Sequence, residues 1–283
     1  MPELPEVESV RKQLEPALVT RTIIDVWWDR HPHARFHDVD RASGSSVTAV
    51  RRRGKFLIIA LVGPTDPWEM LLHLGMSGAL RITPSGDRRD VDTTDQPDHN
   101  PHDRAWFALD NGRVLRFRDP RRFGRVSIVS PGAYRQVAPT LATLGPEPLT
   151  DDFNVHTFAS ALQRTRAPIK AILLGQRIVA GLGNIYVDEA LWRASIHPAS
   201  RRVGPTRAAR LHTTIRDVLS EAIAREGTTF RDYQMLNGQS GRFATQLAVY
   251  GKSGLPCQRC GAVLQRTIIA QRGTTFCPKC QRT

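Results

Sequence analysis

Cys257-Gln258-Arg259-Cys260, sixteen further residues, then Cys277-Pro278-Lys279-Cys280: this stretch decides how the chain ends. Two Cys-x-x-Cys knuckles at that spacing offer four thiolates, the soft tetrahedral set that Zn²⁺ prefers. Ala262–Ala270 and Thr274–Phe276 read as a hairpin joining the knuckles, which makes a zinc ribbon. A closed site of four cysteines has no open coordination position, so one structural Zn²⁺ is expected and not a catalytic one. An iron–sulfur site or a pair of disulfides is the alternative. Nothing in the sequence suggests secretion, which weighs against disulfides.

The charge around these knuckles has one sign. From Tyr233 to Thr283 there is no Asp or Glu, whereas Arg242, Lys252, Arg259, Arg266, Arg272, Lys279 and Arg282 are present. Over all 283 residues, 40 Lys and Arg stand against 27 Asp and Glu, a net charge of +13. Such a surface suits a polyphosphate backbone, so nucleic acid is the expected partner, ahead of a membrane. No stretch reads as a membrane span. The start, Met1-Pro2-Glu3-Leu4-Pro5-Glu6, has early acids and no apolar run, so it is not read as a signal peptide and a cytoplasmic location is expected.

Upstream the periodicity changes twice. Residues 5–18 read as a helix: Pro5 suits a first helical position, and Val7, Val10, Leu14 and Leu18 form one apolar stripe. From Thr22 to about Val129, short runs rich in strand formers alternate with turns. They are Ile23–Trp28, Phe56–Val62, Met70–Leu74, Trp106–Leu109, Val114–Phe117 and Arg125–Val129, and they predict a β-sandwich or barrel. Residues 84–103 read as a polar surface loop, and the Pro- and Gly-rich residues 131–150 as a linker. Beyond it the period is helical: a helix capped by Asp151 or Asp152, one starting at Pro168, one over Asn184–Arg193 after the Gly181-Leu182-Gly183 break, and one from about Pro205 to Glu226. The expected class is α+β: an N-terminal β-sandwich with an N-terminal helix, then a helical domain ending in a zinc-ribbon hairpin.

The N-terminal block Met1-Pro2-Glu3-Leu4-Pro5-Glu6-Val7-Glu8 resembles the start of formamidopyrimidine-DNA glycosylases, also called 8-oxoguanine-DNA glycosylases. The resemblance continues in His73-Leu-Gly-Met-Ser-Gly78, Asp119-Pro-Arg-Arg-Phe-Gly124, Gly181-Leu-Gly-Asn-Ile-Tyr186 and the zinc segment, in the family's order. Leu4 and the Arg121/Phe123 pair favour the purine-specific branch over the related endonuclease VIII group. The resemblance implies a catalytic sandwich at 1–132, a linker at 133–150 and a helix–two-turns–helix DNA-binding domain at 151–232. A lesion-capping loop and connection would follow at 233–248 and a zinc finger at 249–283. It also implies a bifunctional enzyme, a monomer acting on double-stranded DNA with oxidised purines or abasic sites, that ends in β,δ-elimination.

The chemistry can be argued from the residues as well. Pro2, once Met1 is removed, carries a secondary amine. Attack on C1′ of a deoxynucleotide gives an iminium, an electron sink that acidifies the 2′ proton and lets the 3′ phosphate leave. A retained Met1 would block that amine. Glu3 is placed to act as acid or base at the sugar or the leaving base. Glu6 is either a further candidate or a first-turn dipole partner. By resemblance, Lys55 approaches the damaged base and its phosphate, and Arg272 at the hairpin tip belongs with Pro2, Glu3 and Lys55 in the catalytic set.

A base inside a duplex must be flipped out and its gap filled. By resemblance Met76, Arg121 and Phe123 fill it; core packing is the ordinary alternative for Met76 and Phe123. The guanidinium of Arg121 only donates, which suits the acceptors of cytosine better than adenine. His73, Lys170, Asn184 and Tyr186 complete the implied DNA-binding set, with Asn184 at a helix start suited to phosphate. Two other readings stay open: a zinc-ribbon DNA-binding protein without catalysis, and a glycosylase for pyrimidine lesions.

Overall fold

The computed structural model describes residues 1–31, 35–84, 101–228 and 241–283. The chain divides into two compact units. One comprises Met1–Pro2, Glu6–Ala142 and Thr228–Gly241; the other comprises Glu3–Pro5, Thr143–Gly227 and Arg242–Thr283.

The first unit is a sandwich. After helix α1 (Leu4–Leu18), strands β1 (Ile23–Trp28) to β9 (Arg125–Val129) form two sheets. One has the order β1-β7-β8-β6, with β6 at Ala79–Pro84, β7 at Asp103–Leu109 and β8 at Arg113–Arg118. The other runs β2-β9-β5-β4-β3, with β2 at Phe36–His37, β3 at Ser46–Arg53, β4 at Phe56–Val62 and β5 at Pro67–His73. Alternate residues of both sheets meet in one core: Leu57, Ile59, Met70 and Leu72 from one, Phe107, Leu109, Leu115 and Phe117 from the other. The apolar stripe of α1, Val7, Val10, Leu14 and Leu18, closes that core.

Three of these strands escape a pattern-based reading. β3 ends in Arg51-Arg52-Arg53, which looks solvated, yet Arg52 is paired with Glu8 at 2.9 Å and Arg51 with Glu69. The partner carboxylates lie far away in sequence. β2 is two residues long, and β6 abuts the polar segment beginning at 85. The polar loop expected at 84–103 lies mostly outside the described residues.

The second unit is helical, with α3 (Val155–Gln163), α4 (Ile169–Leu174), α5 (Asn184–Arg193) and α6 (Pro205–Ala224) around Phe158, Leu173, Tyr186, Leu211 and Ile215. A short helix, α2 (Pro139–Ala142), precedes it in the chain. Asn154, rather than Asp151 or Asp152, caps α3: its side chain accepts from His156 N at 2.8 Å and Thr157 N at 3.4 Å. α6 stops at Ala224, short of the expected Glu226, because Gly227 turns left-handed and donates back to Ala222 O at 2.8 Å. The chain ends in hairpin β10 (Gln265–Ile269) and β11 (Arg272–Phe276), a shorter first strand than the spacing predicts. Among the described residues no helix is long and apolar enough to cross a membrane.

Candidate functional sites

At the metal site the sequence reading is met directly. The Sγ atoms of Cys257, Cys260, Cys277 and Cys280 all lie within 4.8 Å of one another. Cys257 and Cys280 are 4.0 Å apart, Cys260 and Cys277 3.5 Å. A tetrahedron with Zn–S of about 2.3 Å has edges of roughly 3.8 Å, so the four sulfurs fit one Zn²⁺. None of the four forms a disulfide. With every position taken by protein sulfur, the metal is structural: it staples two knuckles whose own apolar core is small, Val249 and Leu264 beside the cysteines.

Within the helical unit a buried polar cluster surrounds the start of α5. Gly181-Leu182-Gly183 leaves α5 without a side-chain cap. The carboxylate of Glu3, 1% exposed, supplies the missing acceptors: it accepts from Gly183 N at 2.7 Å, Ile185 N at 2.9 Å and Tyr186 N at 3.4 Å. A carboxylate is the natural partner of those N–H groups at the positive end of a helix. The geometry depends on Gly181, whose φ is +81°: a Cβ there would come within 2.4 Å of Leu4 Cδ1.

Below this, Lys170 on α4 donates to Asp188 Oδ1 at 2.6 Å and to Gly273 O at 3.3 Å. Asn184 Nδ2 donates to the same Gly273 carbonyl at 3.0 Å, and Thr275 N to Asp188 Oδ2 at 3.1 Å. The strand bearing Arg272, itself exposed, is thereby registered against α5. Lys170 and Tyr186, expected to bind DNA, are fully buried inside the unit, whereas Arg272 is exposed. Sequence reasoning missed three members. Asp188 is one. Glu189 is the second, its carboxylate accepting from Ala248, Val249 and Tyr250 N at 2.9 Å each. Tyr250 is the third, its half-buried hydroxyl hydrogen-bonded with Asn184 in the field of Glu3 and Arg272. No local pattern marks them; a buried acid surrounded by backbone donors becomes visible only in three dimensions.

In the sandwich unit Pro2 is buried, whereas Met1 before it is 40% exposed. Glu6, 1% exposed, accepts from Thr228 N at 2.7 Å and Thr228 Oγ1 at 3.0 Å. Of the lesion-capping loop and connection expected at 233–248, residues 233–240 lie outside the described residues. Lys55, 5% exposed, sits at the β3–β4 turn and adds to the field on His73. Burial first, then the charges of Lys55, Arg125 and Arg35, push the His73 imidazole down to about 4. It is therefore neutral near pH 7. Its Nδ1 accepts from Gly75 N at 3.1 Å, which leaves Nε2 as the N–H donor.

Met76 is half-buried, Arg121 exposed and Phe123 40% exposed; none of the three is core. The Arg121 guanidinium lies over the Phe123 ring, 4.8 Å from its centroid. Between them Arg122 takes a left-handed φ of +56° and is held there by its ion pair with Asp29.

A sandwich carrying an acid-rich N-terminal helix, a helical unit whose Gly-Leu-Gly turn receives a carboxylate, and a four-thiolate finger together define a zinc-finger protein of the helix–two-turns–helix class. Three family descriptions match consecutive segments: the formamidopyrimidine-DNA glycosylase N-terminal domain over residues 1–126, its H2TH domain over 144–234, and a zinc finger found in FPG and IleRS over 254–283. The formamidopyrimidine-DNA glycosylase of Deinococcus radiodurans is 41% identical over 292 aligned residues, covering 99% of this chain and 97% of that one. The crystal structure of the MutM (Fpg) protein from Thermus thermophilus superposes with a TM-score of 0.88 at 43% identity, over 99% and 98% of the two chains. A Lactococcus lactis Fpg mutant in complex with Fapy-dG-containing DNA gives 0.85 at 35% identity, over 100% of both. The chain belongs to the formamidopyrimidine-DNA glycosylase family. It is an enzyme, a DNA-repair glycosylase with a structural zinc finger.

Proposed function

We propose that this glycosylase is bifunctional: it excises oxidised purines, 8-oxoguanine and formamidopyrimidines, from double-stranded DNA and then cleaves the strand as a lyase. The observation that carries this reading is the seat of Glu3. Its carboxylate accepts from the amides of Gly183 and Ile185 at 2.7 and 2.9 Å, and the adjoining Pro2 is buried just ahead of α1. Met1 is exposed and open to removal. The freed secondary amine attacks C1′ and loses its proton as the base departs with its bonding electrons and a proton; the C1′–O4′ bond then breaks, O4′ takes up a proton, and the ring-opened iminium forms. Loss of the 2′ proton expels the 3′ phosphate, and a second elimination expels the 5′ phosphate.

Glu3 moves protons at the sugar or the leaving base, while Lys55 and Arg272 hold the phosphates next to the reacting nucleotide. His73 and Asn184 donate to phosphate, with Lys170 and Tyr186 supporting them from beneath. Met76 and Phe123 fill the gap left by the flipped nucleotide, and Arg121 reads cytosine opposite. The enzyme works as a monomer in the bacterial cytoplasm.

Borohydride added during turnover should reduce the iminium to a tertiary amine and give one protein–DNA adduct, mapped by mass to residue 2 with Met1 absent. Glu3→Gln should lose excision of an intact lesion more than cleavage at a preformed abasic site, where no base remains to be protonated. An adduct on Lys55, with an N-terminally extended protein still fully active, would overturn the assignment.

A further inference from the structure

The two segments assigned to gap filling come from different parts of the sandwich unit. Met76 lies in the turn after β5, whereas Arg121 and Phe123 lie in the turn after β8. One buried carboxylate belongs to both turns. Asp119, 1% exposed, accepts from Arg121 N at 3.2 Å and Gly124 N at 2.6 Å, which closes its own turn. It also accepts from Ser77 Oγ at 2.6 Å, and Ser77, 3% exposed, follows Met76 directly. The Asp119 carbonyl is held in turn by Arg104 Nε at 2.9 Å. The backbones touch as well. Gly75 has a φ of +65°, and a Cβ on it would come within 2.6 Å of Phe123 C and 2.7 Å of Gly124 N. Side chains longer than hydrogen are thus excluded where the turns cross.

We infer that Asp119 and Ser77 are positioning residues that fasten the two turns into a single wedge, so that Met76 enters the vacated stack only in register with Arg121 and Phe123. Independent turns would each have to be ordered when DNA is bound; a pre-joined pair presents its three side chains together. The bond from Ser77 to Asp119 is the removable part of this device, because the Arg121 and Gly124 amides close the second turn without it. The inference rests on the gap-filling reading above and specifies what sets discrimination at the opposite base.

The test compares Ser77→Ala, Asp119→Asn, the double variant and Arg121→Ala on lesions opposite C, lesions opposite A, and a preformed abasic site. Ser77→Ala should lower the C-over-A excision ratio roughly fivefold, the worth of one ordinary hydrogen bond, with abasic-site cleavage changed less than about twofold. Asp119→Asn places an amide group against a backbone donor and should lower the ratio at least as far. The double variant should be no worse than Asp119→Asn alone, because both substitutions break one device; additive losses would indicate separate structural damage and overturn the inference. If Asp119→Asn does not fold, Ser77→Ala carries the test alone. A full ratio in Ser77→Ala beside a lost ratio in Arg121→Ala overturns the fastening role only. A full ratio in Arg121→Ala overturns the reading on which it rests, and the inference with it.

Discussion

Lys170 and Asp188 meet at 2.6 Å with side chains 0% and 1% exposed. Burial pulls the lysine down and pushes the aspartate up to about 6, while the attraction between them opposes both shifts. The pair is kept charged by its partner and by the backbone groups of Gly273 and Thr275. Lys170→Met should therefore leave an unpaired buried carboxylate and cost about 3–5 kcal/mol of unfolding free energy. The double variant Lys170→Met/Asp188→Leu should recover part of that loss. Chemical denaturation of the three proteins measures it, and a stable single variant would refute the argument.

Metal removal should act on one end of the molecule. The finger's own apolar core is small, so Zn²⁺ supplies much of its folding free energy. One equivalent should be found by elemental analysis. Chelation, or Cys257→Ser, should abolish DNA binding through loss of the β10–β11 hairpin, with the signal of the sandwich unit unchanged.

His73 gives a pH signature. Its folded-state value of about 4 lies below the ordinary 6.5, so as pH falls the unfolded chain takes up this proton first. Stability should be unaffected by the group above about pH 6.5 and fall between there and about 4. His73→Gln should flatten that window. As a neutral donor His73 contributes no charge, so His73→Gln should weaken DNA binding without altering its salt dependence. Arg272→Ala should lower the slope of log K against log salt by about 1. A slope reduced by His73→Gln would mean that the imidazole binds phosphate as a cation.

Gly181→Ala should harm both stability and catalysis. The residue is left-handed, and its Cβ would collide with Leu4, next to Glu3. A loss of at least about 2 kcal/mol is expected, with excision falling further than abasic-site cleavage. Normal excision in this variant would show that the seat of Glu3 tolerates displacement.

What could be read from the sequence was what local spacing encodes. The paired knuckles, the α1 stripe and the run Asn184–Arg193 each carry their evidence within a few residues, and each has its expected place. β3 was not legible, because the acids that neutralise Arg51 and Arg52 come from β5 and α1. Nor were Asp119, Asp188 and Glu189: an isolated acid has no period, and its role is created by amides that folding brings to it.

The hydrogen bonds of Glu3 reach 180 to 183 positions along the chain. At about 5–20 residues per second, a ribosome takes roughly ten to forty seconds to produce their donors after Glu3 itself. A nascent or prematurely terminated product displays the same first eight residues but has nowhere to dock that carboxylate. The bonds that seat Glu3 thus form only after translation has passed Tyr186, so this corner of the fold is among the last to be assembled as the chain is made.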